Sequence, residues 1–286
     1  MRKIGLLLLW GSLLSACSQA QQNNIQIQGA DTLILLGQNL NRLYQHKQPG
    51  VSIRVHGGGI GSALPLLLKG ELQIAQAHGG ELSSETAKDL LAVPVGVEGI
   101  VLYVHESNPV NELSLAQVRS IYLGEITNWR QVGGPDQRIA LYAGESSTGI
   151  VSYFQEYVLR GAEPFGFWGK SSTKELLDVI GETRNAMGFA SVGMAPHVKA
   201  LRIRPATGSP AVEPSIANIR SRQYPISRYI YWYFARKPQG IVKDFCEWVF
   251  SSEGQLVVEG IGFQPLMPEE RLAAMRKLGV VRIASN

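Results

Sequence analysis

The sequence predicts an α/β fold with largely parallel sheets. Short segments with the alternation of strands occur at Ile25–Gln28 and Val51–Val55, and residues 229–234 are typical of a buried aromatic strand. Between them lie segments whose apolar residues recur at helical spacing, such as the run from Leu35 to Tyr44. Glycine, proline and asparagine turns separate the two kinds of segment. Short strands that alternate with helices favour parallel sheets, because each helix carries the chain back to start the next strand.

The N-terminus has the character of an export signal. A short positive start precedes an apolar run that is too short to span a membrane. The run ends in Leu14-Ser15-Ala16-Cys17, which resembles a bacterial lipoprotein lipobox. The resemblance implies an exported, periplasm-facing lipoprotein: residues 1–16 are removed, Cys17 is lipidated, and residues 17–24 form a polar tether. Ser18 beside that cysteine favours the outer membrane where the host has one. An ordinary signal with an incidental cysteine is the alternative.

Charge and cysteine content argue against a nucleic-acid role and against a disulfide framework. Removal of the signal leaves 25 basic residues (27 − 2) against 23 acidic ones, a formal charge of +2. No run of basic residues exceeds two, so a nucleic-acid role has no support. Cys246 is the one cysteine left after lipidation, so no intramolecular disulfide forms, and its apolar neighbours predict a buried side chain. The length suffices for one large domain or two lobes.

Two glycine-containing segments near the N-terminus are candidates for anion binding. Asp31 and Thr32 precede a helical run, so at least one of them is expected to cap that helix, and a capping position also presents polar groups to a ligand. The strand at residues 51–55 leads into the glycine loop Gly57–Ser62. This loop lacks the third glycine of a dinucleotide fingerprint and the lysine of a P-loop. It is either a structural turn or a backbone that approaches a small anion.

The stretch Ser114–Leu159 combines helix, polar turn, short strand, loop and helix. Its loop, Gly144–Gly149, is rich in glycine and hydroxyl groups and precedes helical spacing at Val151, Phe154 and Val158. Such a loop offers N–H groups and a positive dipole end to an anion.

Several motifs resemble the phosphate-binding proteins of ABC importers. The most specific is Gly124–Trp129, which reads Gly-Glu-Ile-Thr-Asn-Trp. The others, which occur in the family's order, are Gly29–Leu33, Gly57–Gly61, Val132–Gly134, the loop ahead of Phe154, Pro225–Arg228 and Gly254–Leu266. The resemblance covers most of the mature chain.

The resemblance implies a two-lobed periplasmic-binding-protein fold of type II, or Venus flytrap, with two crossing hinge strands. Lobe 1 would comprise residues 25–97 and 225–286, and lobe 2 would comprise residues 98–224. The ligand would lie between helix N-termini of the two lobes. The implied ligand-binding residues are Asp31, Thr32, Leu33, Gly59, Ile60, Gly61, Ser62, Gln73, Ser146, Ser147, Thr148 and Gly149.

Several side chains depart from the family's pattern. Alignment on Phe154 places Gly144 at the family's arginine and Ile150 at its threonine, and Ile60 stands at the serine of the glycine loop. Gln73 stands at the aspartate that accepts the phosphate proton. A lost arginine removes charge-assisted hydrogen bonds worth about 1.5–3 kcal/mol each. We therefore expect a retained backbone cradle with altered specificity: weak phosphate binding, another oxyanion or another small ligand.

Two further side chains are candidates for the missing charge. His78 lies near Gln73 and could supply a positive charge, and Arg228 could replace the lost guanidinium or form a surface ion pair. The other histidines are scattered without ligand spacing, so no metal site and no cofactor is predicted. The loop at 144–149 has one residue too many for a nucleophile elbow and no identifiable histidine partner, so no catalytic residue is predicted.

Two functions remain open. The first is a monomeric, lipid-anchored solute-binding protein that captures phosphate or a related small oxyanion for an ABC permease. The second is an envelope sensor or accessory protein that uses the same fold to contact a signalling partner. Neither is an enzyme.

Overall fold

A computed structural model gives the structure of residues 23–143, 150–170, 172–190, 192, 196–206 and 208–280. The strands are β1 (Asn24–Gly29), β2 (Ser52–His56), β3 (Ile74–His78), β4 (Leu91–Gly99), β5 (Val101–His105), β6 (Glu112–Ser114), β7 (Ala140–Ala143), β8 (Trp168–Gly169), β9 (Ala186–Ala190), β10 (Val198–Ala200), β11 (Arg202–Arg204) and β12 (Ser227–Phe234). The α-helices are α1 (Ile34–Lys47), α2 (Gly59–Lys69), α3 (Ser84–Ala87), α4 (Leu115–Tyr122), α5 (Ile150–Tyr153), α6 (Thr173–Glu182), α7 (Ile216–Arg220), α8 (Gly240–Val249), α9 (Ser252–Gly260) and α10 (Pro268–Leu278). Short 3-10 segments occur at Asp31–Leu33 and Trp129–Val132, and a π-helical turn occurs at Phe154–Val158.

The described chain forms two compact units. Unit 1 contains the described residues up to Val95, Tyr231–Val257 and those from Pro268 onward; unit 2 contains Gly96–Ile230 and Val258–Met267. The chain passes from one unit to the other within β4, within β12, within α9 and again just before α10. The lobe boundaries expected from the sequence stay a prediction.

The first sheet has the strand order β2-β1-β3-β12-β4. Strand β1 pairs in parallel with β2 on one side and with β3 on the other. In the register, Gln28 lies opposite His56 and Gly29 lies opposite Gln76. The carboxyl ends of three strands therefore meet at one edge, and the helices that follow β1 and β2 begin there.

Helices α1 and α2 stabilise this sheet through apolar packing. Ala63 and Leu67 of α2 pack in one buried cluster with Ala75 and Ala77 of β3. Leu36, Leu40 and Tyr44 of α1 are buried, and the ring of Tyr44 lies 5.0 Å from that of Phe245 in α8. Leu35 and Leu43, which share the predicted helical run, are exposed, because the helix buries only one stripe of its apolar residues.

The second sheet lies in unit 2 and has the order β10-β5-β9-β7-β8. Strands β7, β8 and β9 run parallel, whereas β5 is antiparallel to both β9 and β10. An aromatic cluster fills its core: the rings of Phe154 and Phe189 stack at 3.9 Å, and Tyr122 meets Phe154 edge-on at 4.8 Å. A separate parallel pair joins β6 to β11.

The motif at Gly124–Trp129 connects α4 to β7 and has a structural role. Gly124 adopts a positive φ of 77°, and a Cβ there would lie 2.5 Å from the Phe165 ring. The side chain of Asn128 accepts a hydrogen bond from the Arg130 N–H at 3.0 Å and so caps a 3-10 turn. The fully buried indole of Trp129 donates to the carbonyl of Asn185 at 2.9 Å. These contacts fix the path of the chain into the second sheet.

Two predicted elements differ from the structure. The sequence Leu72-Gln73-Ile74-Ala75 is typical of a short strand, whereas the third strand lies at Ile74–His78 and includes Gln76 and His78. Residues 81–91 have a polar helical pattern that predicts a helix throughout, whereas the helix is limited to α3 and Leu91 already begins β4. The α/β class is confirmed, as is the burial of Cys246, where desolvation raises the pKa of the thiol. Among the described residues, no helix is both long and apolar enough to cross a membrane.

Candidate ligand-binding site

The candidate site in unit 1 lies at the carboxyl edge of β1, β2 and β3. In open parallel sheets, ligands bind outside the carboxyl ends of the strands. Three polar groups follow or end these strands: Thr32 after β1, the glycine loop after β2, and His78 at the end of β3. Of the residues expected from the sequence, the structure brings together Asp31–Leu33, Gly59–Ser62 and His78 at this edge.

Thr32 is held by a buried histidine. Its hydroxyl oxygen lies 2.6 Å from Nε2 of His78, which is only 2% exposed. Thr32 lies in the 3-10 turn Asp31–Leu33, which is positioned by a hydrogen bond from the Ala30 N–H to the carbonyl of Gln76 at 3.0 Å. Neither Asp31 nor Thr32 caps its own helix, so that expectation was wrong. The Asp31 side chain instead contacts the glycine loop, and the Thr32 side chain contacts β3.

Asp31 links the turn to the glycine loop. Its carboxylate accepts a hydrogen bond from the Gly58 N–H at 2.7 Å. A Cβ on Gly57 would lie 1.9 Å from the same carboxylate oxygen, so the loop requires glycine at this position. The glycine loop is therefore shaped by a contact that spans 27 residues of sequence.

The glycine loop leads directly into helix α2, whose first turn presents backbone N–H groups. Gly58 is its N-cap, in the left-handed conformation, and no side chain caps the helix. The first N–H groups of a helix have no partner within it, so those at the start of α2 are available to an acceptor. The Ser62 hydroxyl is already engaged: it donates to the Gly58 carbonyl at 2.7 Å and accepts from the Gln28 amide at 2.9 Å. In this structure Ser62 therefore supports the loop.

Gln76 is a buried residue that belongs to none of the motifs named from the sequence. Its side chain is 0% exposed, and neither amide atom has a hydrogen-bond partner among the residues that the structure describes. A Cβ on Gly29 would lie 2.9 Å from Cγ of Gln76, so the side chain lies against the end of β1. Gln76 and His78 face the same side of β3, because alternate residues of a strand share a face. A glutamine within an apolar strand sequence was the available signal.

Gln73 does not lie with the other candidates. It precedes β3, and its side-chain oxygen accepts from the Gln26 N–H at 2.8 Å, near the amino end of the sheet. Five residues of extended chain separate it from His78, about 16 Å at 3.3 Å per residue. Gln73 was a candidate because the family resemblance places it at the aspartate that accepts the phosphate proton. We therefore leave Gln73 out of the proposed site.

Arg228 lies in unit 2 and is already paired. Its guanidinium Nε donates to the Glu98 carboxylate at 2.9 Å, and its Cζ lies 3.7 Å from the ring centre of Tyr153. The side chains of Arg228 and Glu98 are 7% and 2% exposed. Burial raises the pKa of the Glu98 carboxyl, against the opposing effect of Arg228. The Arg228 charge is therefore largely neutralised within unit 2.

The remaining expected residues lie outside the described ones. These are Cys17 and the loop residues Ser146, Ser147, Thr148 and Gly149. Within the described residues, no group of three or more histidine, cysteine, aspartate or glutamate side chains could hold a metal ion.

The sequence is similar to those of phosphate-binding proteins. The sequence profile of the PBP superfamily domain matches residues 12–253. The chain is 28% identical over 226 residues to the phosphate-binding protein PstS of Bacillus subtilis, covering 78% of this chain and 74% of that protein. It is 25% identical over 282 residues to PstS of Pseudomonas aeruginosa, covering 90% and 87%.

Solved structures show the same fold. A possible phosphate-binding protein from Planctomyces limnophilus matches with a TM-score of 0.78 at 20% identity, covering 91% of this chain and 99% of that one. An ABC-type phosphate transport receptor from Vibrio cholerae matches with a TM-score of 0.70 at 26% identity, covering 85% and 100%. The fold is therefore that of the periplasmic phosphate-binding proteins.

Proposed function

Because the chain belongs to the PBP superfamily, we propose that it is a solute-binding protein that captures phosphate or a related small oxyanion for ABC-type import. It acts as a binding protein and not as an enzyme. The relatives named as phosphate-binding proteins and as a phosphate transport receptor support this function.

The observation that carries the proposal is the position of the Thr32 hydroxyl. It is held at 2.6 Å from a buried histidine at the carboxyl edge of three parallel strands. The uncapped first turn of α2 begins at the same edge and adds N–H donors. Hydroxyl and backbone N–H donors beside a helix N-terminus suit an oxyanion.

The proposed ligand class is wider than phosphate alone. Ile60 supplies no hydroxyl at the loop position where the family has serine, and the Ser62 hydroxyl is engaged within the loop. Backbone donors recognise charge and shape but cannot by themselves select one tetrahedral oxyanion over another. We therefore expect phosphate binding to be weaker and less selective than in the phosphate-binding relatives.

Calorimetry with phosphate, sulfate and arsenate tests the proposal. We expect Thr32→Val to lower the affinity for the best ligand about tenfold or more, because one hydrogen bond to a charged group is worth about 1.5–3 kcal/mol. Thr127→Val, at an exposed threonine of unit 2, is the matched control and should bind like the wild type. No heat with any of the three anions would contradict an oxyanion-binding function.

The alternative is an envelope sensor or accessory protein. The observation that favours it is that Ile60, at the family's serine position, packs against the buried cluster of α2 and β3 and offers no hydroxyl to a ligand. Native mass spectrometry of freshly purified protein distinguishes the two functions. An added mass of a small anion supports capture, whereas a stable protein complex without a small ligand supports the sensor function.

We further propose that the protein is exported and anchored through lipid on Cys17, in the outer membrane where one exists. It acts as a monomer that delivers its ligand to an ABC permease. Metabolic labelling with an alkyne fatty acid should mark the wild type and not Cys17→Ser. Light scattering of the mature, unlipidated chain should give the mass of one copy. Labelling that persists in Cys17→Ser would exclude this anchor.

A further inference from the structure

The hydrogen bond between Thr32 and His78 can run in two directions. The oxygen Oγ1 and the nitrogen Nε2 are 2.6 Å apart, so one of the two atoms carries the shared proton. A threonine hydroxyl has a single proton and two acceptor sites, whereas a neutral imidazole nitrogen is either a donor or an acceptor. The direction of this one bond therefore decides what the Thr32 hydroxyl can offer to a ligand.

The two directions have opposite consequences for an anion. When the Thr32 hydroxyl donates its proton to Nε2 of His78, only the lone pairs of Oγ1 can face a ligand. An anion would then meet an oxygen that repels it. Where Nε2–H donates to Oγ1, the hydroxyl proton is free, and Thr32 becomes a donor to an oxyanion.

We propose that His78 donates Nε2–H to Oγ1 of Thr32, and that His78 is thereby a positioning residue that aims the Thr32 proton at an oxyanion oxygen. This inference rests on the proposed function. It specifies the ligand class: an anion that presents a hydrogen-bond acceptor at the carboxyl edge of β1 and β3. His78 acts through Thr32 and does not itself need to touch the ligand.

The surroundings of the pair favour a ligand that accepts hydrogen bonds. The nearest carboxylate in the turn, that of Asp31, is turned to the Gly58 N–H and so helps to present the loop. The buried amide of Gln76 lies on the same face of β3 as His78 and finds no partner among the described residues. A fully buried amide without a protein partner normally hydrogen-bonds to water or to a ligand, so the Gln76 amide is a hydrogen-bonding group that the fold itself does not use.

Phosphate calorimetry on His78 variants tests whether a hydrogen bond from position 78 supports ligand binding. Glutamine can hydrogen-bond at about the reach of Nε2, whereas methionine has similar length with no donor and only a weak acceptor. We expect His78→Gln to stay within about threefold of the wild-type affinity and His78→Met to lose about tenfold. Equal losses in the two variants would overturn the proposal.

A double-mutant cycle separates positioning from a general structural role. In a Thr32→Val background the hydroxyl is gone, so His78→Met should change phosphate affinity less than twofold. A loss as large as that in the wild-type background would mean that His78 acts on the fold and not through Thr32. Unfolding curves of every variant establish that the folded protein is being compared.

Nitrogen NMR of the imidazole rings gives a readout that needs no ligand. In the ligand-free protein labelled with ¹⁵N-histidine, we expect Nε2 of His78 to carry a proton, with the exposed His46 of α1 as the internal reference. A bare Nε2 on His78 would overturn the inference even if phosphate binds. Failure of the wild type to bind any anion would instead remove the proposed function, so the two failures are distinguishable.

Discussion

Two polar clusters among the described residues are built in opposite ways. At the carboxyl edge of the first sheet, Thr32, His78 and Gln76 are side chains without a carboxylate among them, and Thr32 is partly exposed. In unit 2, Arg228 and Glu98 form a fully enclosed ion pair that is covered by the Tyr153 ring. In the first cluster the Gln76 amide has no partner among the described residues, whereas the second pairs its charges with each other. We therefore expect the first cluster, and not the charged pair, to contact a ligand.

The largest expected effect comes from the ion pair. Arg228→Met should lower the free energy of unfolding by about 3–5 kcal/mol, because it leaves a buried carboxylate without its guanidinium partner. Urea unfolding of the mature protein at neutral pH measures it. Arg222 is the matched control: it also stacks on a tyrosine, with Cζ 4.0 Å from the Tyr229 ring centre, but it is exposed. Arg222→Met should cost less than about 1 kcal/mol. Similar losses in both variants would mean that ring stacking, and not the ion pair, stabilises this region.

The pH dependence sharpens the same prediction. Burial already raises the pKa of Glu98 in the folded protein, and removal of Arg228 takes away the one opposing effect of a cation. A carboxyl with a raised folded pKa contributes stability when it is protonated, and loses that contribution as the pH rises through the folded pKa. The stability difference between wild type and Arg228→Met should therefore shrink as the pH falls from 7 towards 5. A difference that stays constant over this range would place the cost in lost packing.

The next prediction concerns the glycine loop. Gly57→Ala would place a Cβ 1.9 Å from the Asp31 carboxylate. The Asp31 side chain would then have to move and lose its hydrogen bond from the Gly58 N–H. We expect a loss of about 1.5–3 kcal/mol in stability, the value of a hydrogen bond to a charged group, together with weaker phosphate binding. Gly50→Ala is the control, since no described atom lies within 4 Å of a Cβ there, and it should change stability by less than about 0.5 kcal/mol. Unchanged phosphate affinity in Gly57→Ala would exclude the loop from the site.

The sequence predicted the elements of this site better than their contacts. Alternation and helical spacing located β1, β2 and the helices after them, because local periodicity follows burial. The end of β3 was misplaced because alanines between Ile74 and His78 carry little periodic signal, and the family resemblance placed a ligand contact at Gln73, which precedes the strand. The partner of Arg228 lies 130 residues away and the partner of Thr32 lies 46 residues away, so neither pair can be read from local sequence. The need for glycine at position 57 comes from Asp31, which is equally a contact of the folded chain.

The smallest expected effect separates stability from binding at the first cluster. Gln76→Met removes a buried amide that has no partner among the described residues, and apolar replacement of such a group is neutral or stabilising. We expect the free energy of unfolding to rise by about 1 kcal/mol. The phosphate dissociation constant should rise about threefold, because this edge of the sheet loses an amide that can hydrogen-bond. The exposed Gln38 of α1 supplies the control, since Gln38→Met should leave both quantities near their wild-type values. A fall in stability would show that water satisfies the Gln76 amide in the folded protein, and unchanged affinity would confine the ligand to Thr32 and the first turn of α2.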